Sequence, residues 1–255
     1  MCQETQNAQR IFAVAYLHRD ERRAPIGASV RRAFAYGVGV VQVTVVAVDV
    51  GSLANIGWWR ERHDEATHGH DLDALIEVVA ADLLAGVPVA LGFEAPLFIP
   101  RPPSACGLNR QRAGDRGRPW CAGAGTGALA LGIQQAAYVF AGLAERVRPT
   151  VSFRPEALAD GSASLLIWEA FVSGKSKDRS AIDPHVNDAR LAVIEFRSRL
   201  ALGHVHSDVE DLNVLNLAAA GLLAAGLTAD VELLTQPCVV VKPPIFVTEA
   251  ERREL

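Results

Sequence analysis

Four acids and one histidine in this sequence have types and positions suited to chemistry on a phosphate: Asp49, Glu94, Glu169 and Asp188, with His185 three residues before the last. Asp49 and Glu94 each end an apolar run, Glu169 lies inside a third run, and His185 and Asp188 head an apolar helical stripe. Carboxylates brought to one place repel and shift each other's pKa, and burying one is costly unless a cation or donors meet it. An oxygen-rich cluster with one imidazole suits hard divalent cations such as Mg²⁺ or Mn²⁺. Two such ions a few ångströms apart activate a water and stabilise the leaving oxygen of a phosphodiester. Flanking phosphates would be met by Arg110, Arg112, Arg116 and Arg118, with Arg101 in the same loop, and by Lys175 or Lys177 further on. The guanidinium fork matches phosphate oxygens in a bidentate way. The same arginines are equally consistent with a solvated loop that neutralises nearby acids.

The elements that must position these groups follow from the patterning. Val43–Val48 is a continuous β-branched run that leads into Asp49 and a Gly51-Ser52 turn, which reads as a central strand buried on both faces. Asp49 then stands at the edge where open α/β sheets place ligands. A short second strand is expected over Asn55–Arg60, and His63, His68 and His70 fall in a solvated loop rather than a metal site. Asp71 to Gly86 is a helix with an Asp cap, an apolar stripe at Leu72, Leu75, Ile76, Val79 and Leu83, and a glycine stop. Val87–Phe93 is a second buried strand, and it delivers Glu94.

Residues 99–125 make a long Pro- and Gly-containing loop, a length that points to function or disorder. Gly123, Gly125 and Gly127 open a helix to about Arg146; they suit close helix packing better than a phosphate cradle, since no strand precedes them and no Gly-Lys-Ser/Thr follows. Residues 149–163 read as a polar connection and Ser164–Val172 as a third buried strand. Glu169 inside it has two readings, a member of the shared acidic site or the partner of a core arginine. Ser173–Ile182 reads as a mobile basic loop, and Asp183-Pro184 begins a helix with an Asp cap and proline in its first turn. His185 and Asp188 share one side of that helix with Ala189, Ala192 and Phe196, so both face inward. Such a pair belongs either to a metal site or to a satisfied core network. Ser207 and Glu210 form a capping box for a last apolar helix, Asp211 to about Gly226, and Cys238–Val241 is a final strand.

The chain has 255 residues, 50% of them hydrophobic and 21% charged, which suits one large α/β domain. The expected layout is a flexible, Arg-rich extension over 1–37, a single domain over 38–248 and a tail over 249–255. A net charge of −4 argues against broad affinity for nucleic acid while leaving room for a local basic groove. Four cysteines without a CxxC pair suggest neither a disulfide framework nor a zinc knuckle. No stretch reads as a convincing membrane span or secretory signal, so a cytoplasmic setting is the expectation.

Gly92-Phe93-Glu94-Ala95-Pro96-Leu97, the Gly-Arg-Pro-Trp of 117–120, and Leu166–Gly174 with Glu169 at its centre resemble a family of predicted nucleases with a ribonuclease H-like fold, domain of unknown function 429. The similarity spans roughly residues 43–242. His185-Val186-Asn187-Asp188 is similar, more distantly, to the last motif of RuvC-type Holliday-junction resolvases. The resemblance implies a three-layer α/β fold, a mixed central sheet flanked by helices, and a metal-dependent nuclease site. Asp49, Glu94 and Asp188 would be metal ligands, His185 a ligand or general base, and Glu169 an additional acid. Many members carry Asp where this chain has Glu94, whose reach is one methylene longer. Beside a nuclease on nucleic acid stand two further expectations: a non-catalytic binding or scaffold module, and a hydrolase or transferase acting on a small phosphorylated metabolite.

Overall fold

Alternate residues of three apolar strands sort onto two faces, and two hydrophobic cores form on either side. The computed structural model describes residues 42–63, 65–115, 119–172, 177 and 181–244. The extension expected over 1–37, the tail over 249–255, and Arg116, Arg118 and Lys175 lie outside the described residues. In chain order the elements are β1 (Thr44–Asp49), β2 (Gly57–Arg62), β3 (Glu65–Gly69), α1 (Leu72–Leu84), β4 (Val89–Phe93), β5 (Phe98–Pro100), α2 (Ala124–Arg146), β6 (Val151–Ser152), α3 (Glu156–Ala159), β7 (Leu165–Ala170), α4 (Pro184–Ala201), β8 (Val214–Asn216), α5 (Leu217–Ala224) and β9 (Val240–Val241).

This is a mixed α/β fold. Its seven-stranded sheet runs β3-β2-β1-β4-β7-β6, with β9 also paired to β7. β1, β4 and β7 are parallel neighbours, and β2 runs antiparallel to both β1 and β3. Val45, Ala47, Ala90, Leu166 and Trp168 pack with Ala189, Ala192, Val193 and Phe196 of α4 on one face. Val46, Val48, Leu91, Phe93, Leu165 and Ile167 pack with α1, α2 and α5 on the other. Side chains on a strand alternate between faces, so each residue's parity decides which layer it joins.

Both caps expected for the longer helices are present. The Asp71 carboxylate accepts from the Asp73 backbone N–H, and Asp183 accepts from Val186 at the start of α4. Gly86 ends α1 with φ +74°, the left-handed conformation that glycine adopts without strain.

Three expectations are corrected. His68 is exposed as expected, but it lies on strand β3, which pairs with β2, and not in a loop, and its ring stacks on Trp59 at 5.1 Å. Residues 149–163 hold β6 and α3. The last helix begins at Leu217, because Val214–Asn216 pairs with β5 and the Asn216 side chain caps the helix by accepting from Ala219. Ser207 instead accepts from the Val209 and Val240 backbone N–H groups, pinning β9. Among the described residues one helix, α2, is by length and composition apolar enough to cross a membrane, with mean hydropathy 1.3. Its residues Ala136, Val139, Phe140 and Leu143 are buried in the core that includes α1 and α5.

Candidate functional site

Asp49 is the last residue of β1 and keeps the parity of Val45 and Ala47, so it leaves the sheet on the α4 face. Glu94 follows β4 with the parity of Ala90 and Gly92, and its backbone N–H still bonds to the Val48 carbonyl at 2.7 Å. The two acids are thus neighbours across the parallel pair, on the same face and at the same edge. The first turn of α4 brings the rest: Asp188 is buried, and His185 Nδ1 lies 2.5 Å from Asp49 Oδ2. One ligand oxygen from each of Asp49, Glu94 and Asp188 lies within 4.8 Å of the others. The structure therefore brings together Asp49, Glu94, His185 and Asp188.

Close backbone approach makes this possible. Gly57 is the register partner of Asp49 on β2, and a Cβ there would stand 2.4 Å from His185 C and Val186 N. The start of α4 therefore rests on bare backbone. Behind the cluster, Gly132 of α2 packs on Ala95 and Gln135 donates to the Gly51 carbonyl, which backs the turns after β1 and β4. Gly57→Ala is expected to push the first turn of α4 outward and to cost about 1–3 kcal/mol, as overpacking does. A urea melt with an unchanged midpoint would show that α4 does not depend on this contact.

Lys177 reaches into the cluster. Its Nζ lies 2.5 Å from Asp188 Oδ2, 3.0 Å from Glu94 Oε1 and 3.7 Å from Asp49 Oδ1. Burial disfavours its ammonium, but Glu94, Asp49 and Asp188 together outweigh that and raise its pKa. Burial and then the Asp49 charge push the Glu94 carboxyl well above its ordinary value, with Lys177 opposing. Burial likewise raises Asp188, again against Lys177. Even with the lysine in place, Glu94 Oε2 and Asp188 Oδ1 are buried without a hydrogen-bond partner among the described residues.

The raised Glu94 pKa makes a testable stability statement. A carboxyl whose folded pKa exceeds its unfolded value stabilises the fold below the unfolded value, and that contribution is lost as pH rises through the folded value. Metal-free wild type should therefore lose stability from about pH 4.5 upward on account of this group. Glu94→Gln removes the cost, so in chelator-treated samples its melting temperature should exceed that of wild type by a margin that widens as pH rises above about 4.5. A margin that stays flat would refute the assignment.

Glu169 does not join the cluster. Phe93 is its register partner, so it has Phe93's parity and points to the opposite face of the sheet. There Arg112 holds both of its oxygens at 2.7 Å, and the Leu97 backbone N–H donates to Oε2 at 3.0 Å. The core-arginine reading holds, and the shared-site reading of Glu169 is corrected.

The same contact corrects Arg112. Its side chain is fully buried between Glu169 and Asp115, with its charge-bearing form favoured by both acids against burial. It has no free face for a substrate phosphate. Arg110 pairs with Asp211 at 2.7 Å, and Arg101 bonds to Asn213. Lys177 sits among the acids rather than on an outer phosphate surface. Asp115 and the Arg60–Asp82 pair, buried at 2.6 Å between β2 and α1, escaped the sequence reading. The spacing of Arg112 and Asp115, three apart in an otherwise open loop, was the available signal for one of them.

An apolar cleft borders Glu94, walled by Ala95, Pro96, Ala128, Phe171 and Val172. Comparison of the chain with protein-family models, with curated proteins and with solved structures found no match.

Proposed function

We propose that this protein is a divalent-metal-dependent phosphodiesterase with a ribonuclease H-like architecture, acting on nucleic acid. One observation carries the reading: three carboxylates from β1, the end of β4 and α4 converge within 4.8 Å, and two of their buried oxygens lack a partner among the described residues. An all-oxygen donor set of this kind fits Mg²⁺ or Mn²⁺, held by Asp49, Glu94 and Asp188. The antiparallel β1-β2-β3 unit, extended by parallel β4 and β7 with the acids at one edge, supports the architectural reading.

When bound, such an ion would activate a water and neutralise charge on the phosphate. The chain's own groups divide the remaining work. Asp49 Oδ2 engages His185 Nδ1 and so fixes the ring, leaving Nε2 to take up or deliver a proton. The imidazole is about a third exposed, within reach of solvent and substrate. Lys177 supplies a fixed positive charge beside the acids.

A second reading also has an observation behind it. Glu169 pairs with an arginine and Asp188 with a lysine, as a non-catalytic scaffold would have them. Thermal unfolding against MnCl₂, wild type beside Asp49→Asn, separates the two. At tenfold the dissociation constant, a ligand adds about 1.4 kcal/mol to native stability, worth a few degrees in a domain of this size. A rise in wild type that Asp49→Asn lacks is the expected result. No rise in either protein at millimolar Mn²⁺ would favour the scaffold. With binding established, cleavage of polymers but not of mononucleotides would set nucleic acid apart from a small phosphorylated metabolite.

A further inference from the structure

We infer that Lys177 is itself one of the cations of this site, so that the cluster takes one divalent ion beside the lysine and not two. The inference rests on the metal reading above and narrows it.

Each of the three carboxylates turns one oxygen to Lys177 Nζ: Asp188 Oδ2 at 2.5 Å, Glu94 Oε1 at 3.0 Å and Asp49 Oδ1 at 3.7 Å. A single ammonium contacting three acids from three elements occupies a cation's place. The opposite oxygens have different fates. Asp49 Oδ2 is taken by His185, whereas Glu94 Oε2 and Asp188 Oδ1 are buried and unpartnered among the described residues. The lysine has therefore engaged one oxygen of each acid and left the other oxygen of Glu94 and of Asp188 without a partner among the described residues. An unpaired buried carboxylate oxygen is expensive, and both orphans belong to the same pair of acids.

The charges agree. Ligating carboxylates are deprotonated, so the three acids carry −3 and Lys177 returns +1, leaving −2. One divalent ion balances that remainder. Two ions added to the lysine would leave the site at +2 before any substrate arrived. The side chain of Lys177 is only 24% exposed, and its charge is held by contacts rather than free in solvent. An ammonium has no coordination sphere and cannot present a metal-bound water, so it fills the electrostatic role of a second ion without its chemistry.

The test is a count. The full-length chain, stripped with chelator, is titrated with Mn²⁺ while the paramagnetic resonance signal of the free ion reports what remains unbound. Wild type should bind one Mn²⁺ per chain, and Lys177→Arg, which keeps the charge, should also bind one. Lys177→Met removes the charge at nearly constant length and should bind two. Circular dichroism confirms that each variant is folded, and the wild-type count stands whether or not a variant folds. Two ions in wild type would overturn the inference and leave the metal reading standing. So would a single ion bound more tightly by Lys177→Met, since lysine and metal would then be rivals for one position. No Mn²⁺ bound by any of the three proteins would overturn the metal reading and this inference with it.

Discussion

Arg112→Met is expected to lower the melting temperature by about 6–20 °C or to leave the protein insoluble. Arg112 is the only described cation in contact with Glu169 and Asp115, and all three side chains are 0% exposed. Removing one partner of a buried ion pair costs about 3–5 kcal/mol, because the remaining charge stays in a low dielectric. For a domain of this size each kcal/mol is worth about 2–4 °C. The loss should also spread. Arg112 donates to the Phe98 carbonyl and stacks on the Phe98 ring at 4.6 Å, while Glu169 anchors the Leu97 N–H, so the segment after β4 is tied to this network. Arg112→Lys should not rescue, since an ammonium lacks the planar fork that spans two carboxylates. Adding Glu169→Gln to Arg112→Met should recover part of the loss by removing one orphaned charge. A thermal or urea melt of Arg112→Met within about 1 kcal/mol of wild type would show that the network contributes little net stability.

His185→Gln is expected to reduce turnover by about 10²–10⁴-fold, the usual contribution of a positioned acid or base, while leaving the Mn²⁺-induced melting shift in place. In the proposed reading the imidazole, engaged with Asp49 through Nδ1, handles protons beside the cluster rather than ligating the ion. Glutamine preserves a polar contact to Asp49 without a ring that exchanges protons. Loss of both the melting shift and turnover would instead make His185 a ligand. Turnover within a factor of about ten of wild type would remove it from the chemistry, since that lies below the acid–base range.

Much of this was legible in sequence because the strong signals were local. The β-branched run ending at Asp49, the apolar run before Glu94, and Asp183-Pro184 ahead of His185 each name an element and its exit. Open α/β sheets put their ligands at strand exits, which groups Asp49 and Glu94, and the apolar stripe that follows Asp183-Pro184 turns Asp188 inward to join them.

What failed was pairwise. Glu169, inside its strand, is open in sequence to a shared acidic site or a core arginine, and its neighbours Trp168 and Ala170 belong to the α4 core, which places Glu169 on the reverse face. Sheet register sets which parity faces the site, and register is fixed by contacts distant in sequence. Arg112 was misassigned for the same reason, since its partner is 57 residues away. The final helix was started early because Ser207 and Glu210 match a capping box, whereas the backbone there is held by β9 and the cap is Asn216. Lys177 was noted as a phosphate contact because a lone lysine in a loop carries no mark of the acids it will meet.

The seat of α4 on Gly57 bears on how the site comes into being. Asp49 and His185 are 136 residues apart, and β4 and β7 lie between them in the chain. Parallel pairings of this kind must close long loops before contacts reward them, which slows folding. The mutual repulsion of the acids is therefore expected to arise late in folding, once these distant segments have met. Substitutions in the cluster should accordingly alter the rate of unfolding far more than the rate of folding, as expected where native contacts are absent from the transition state.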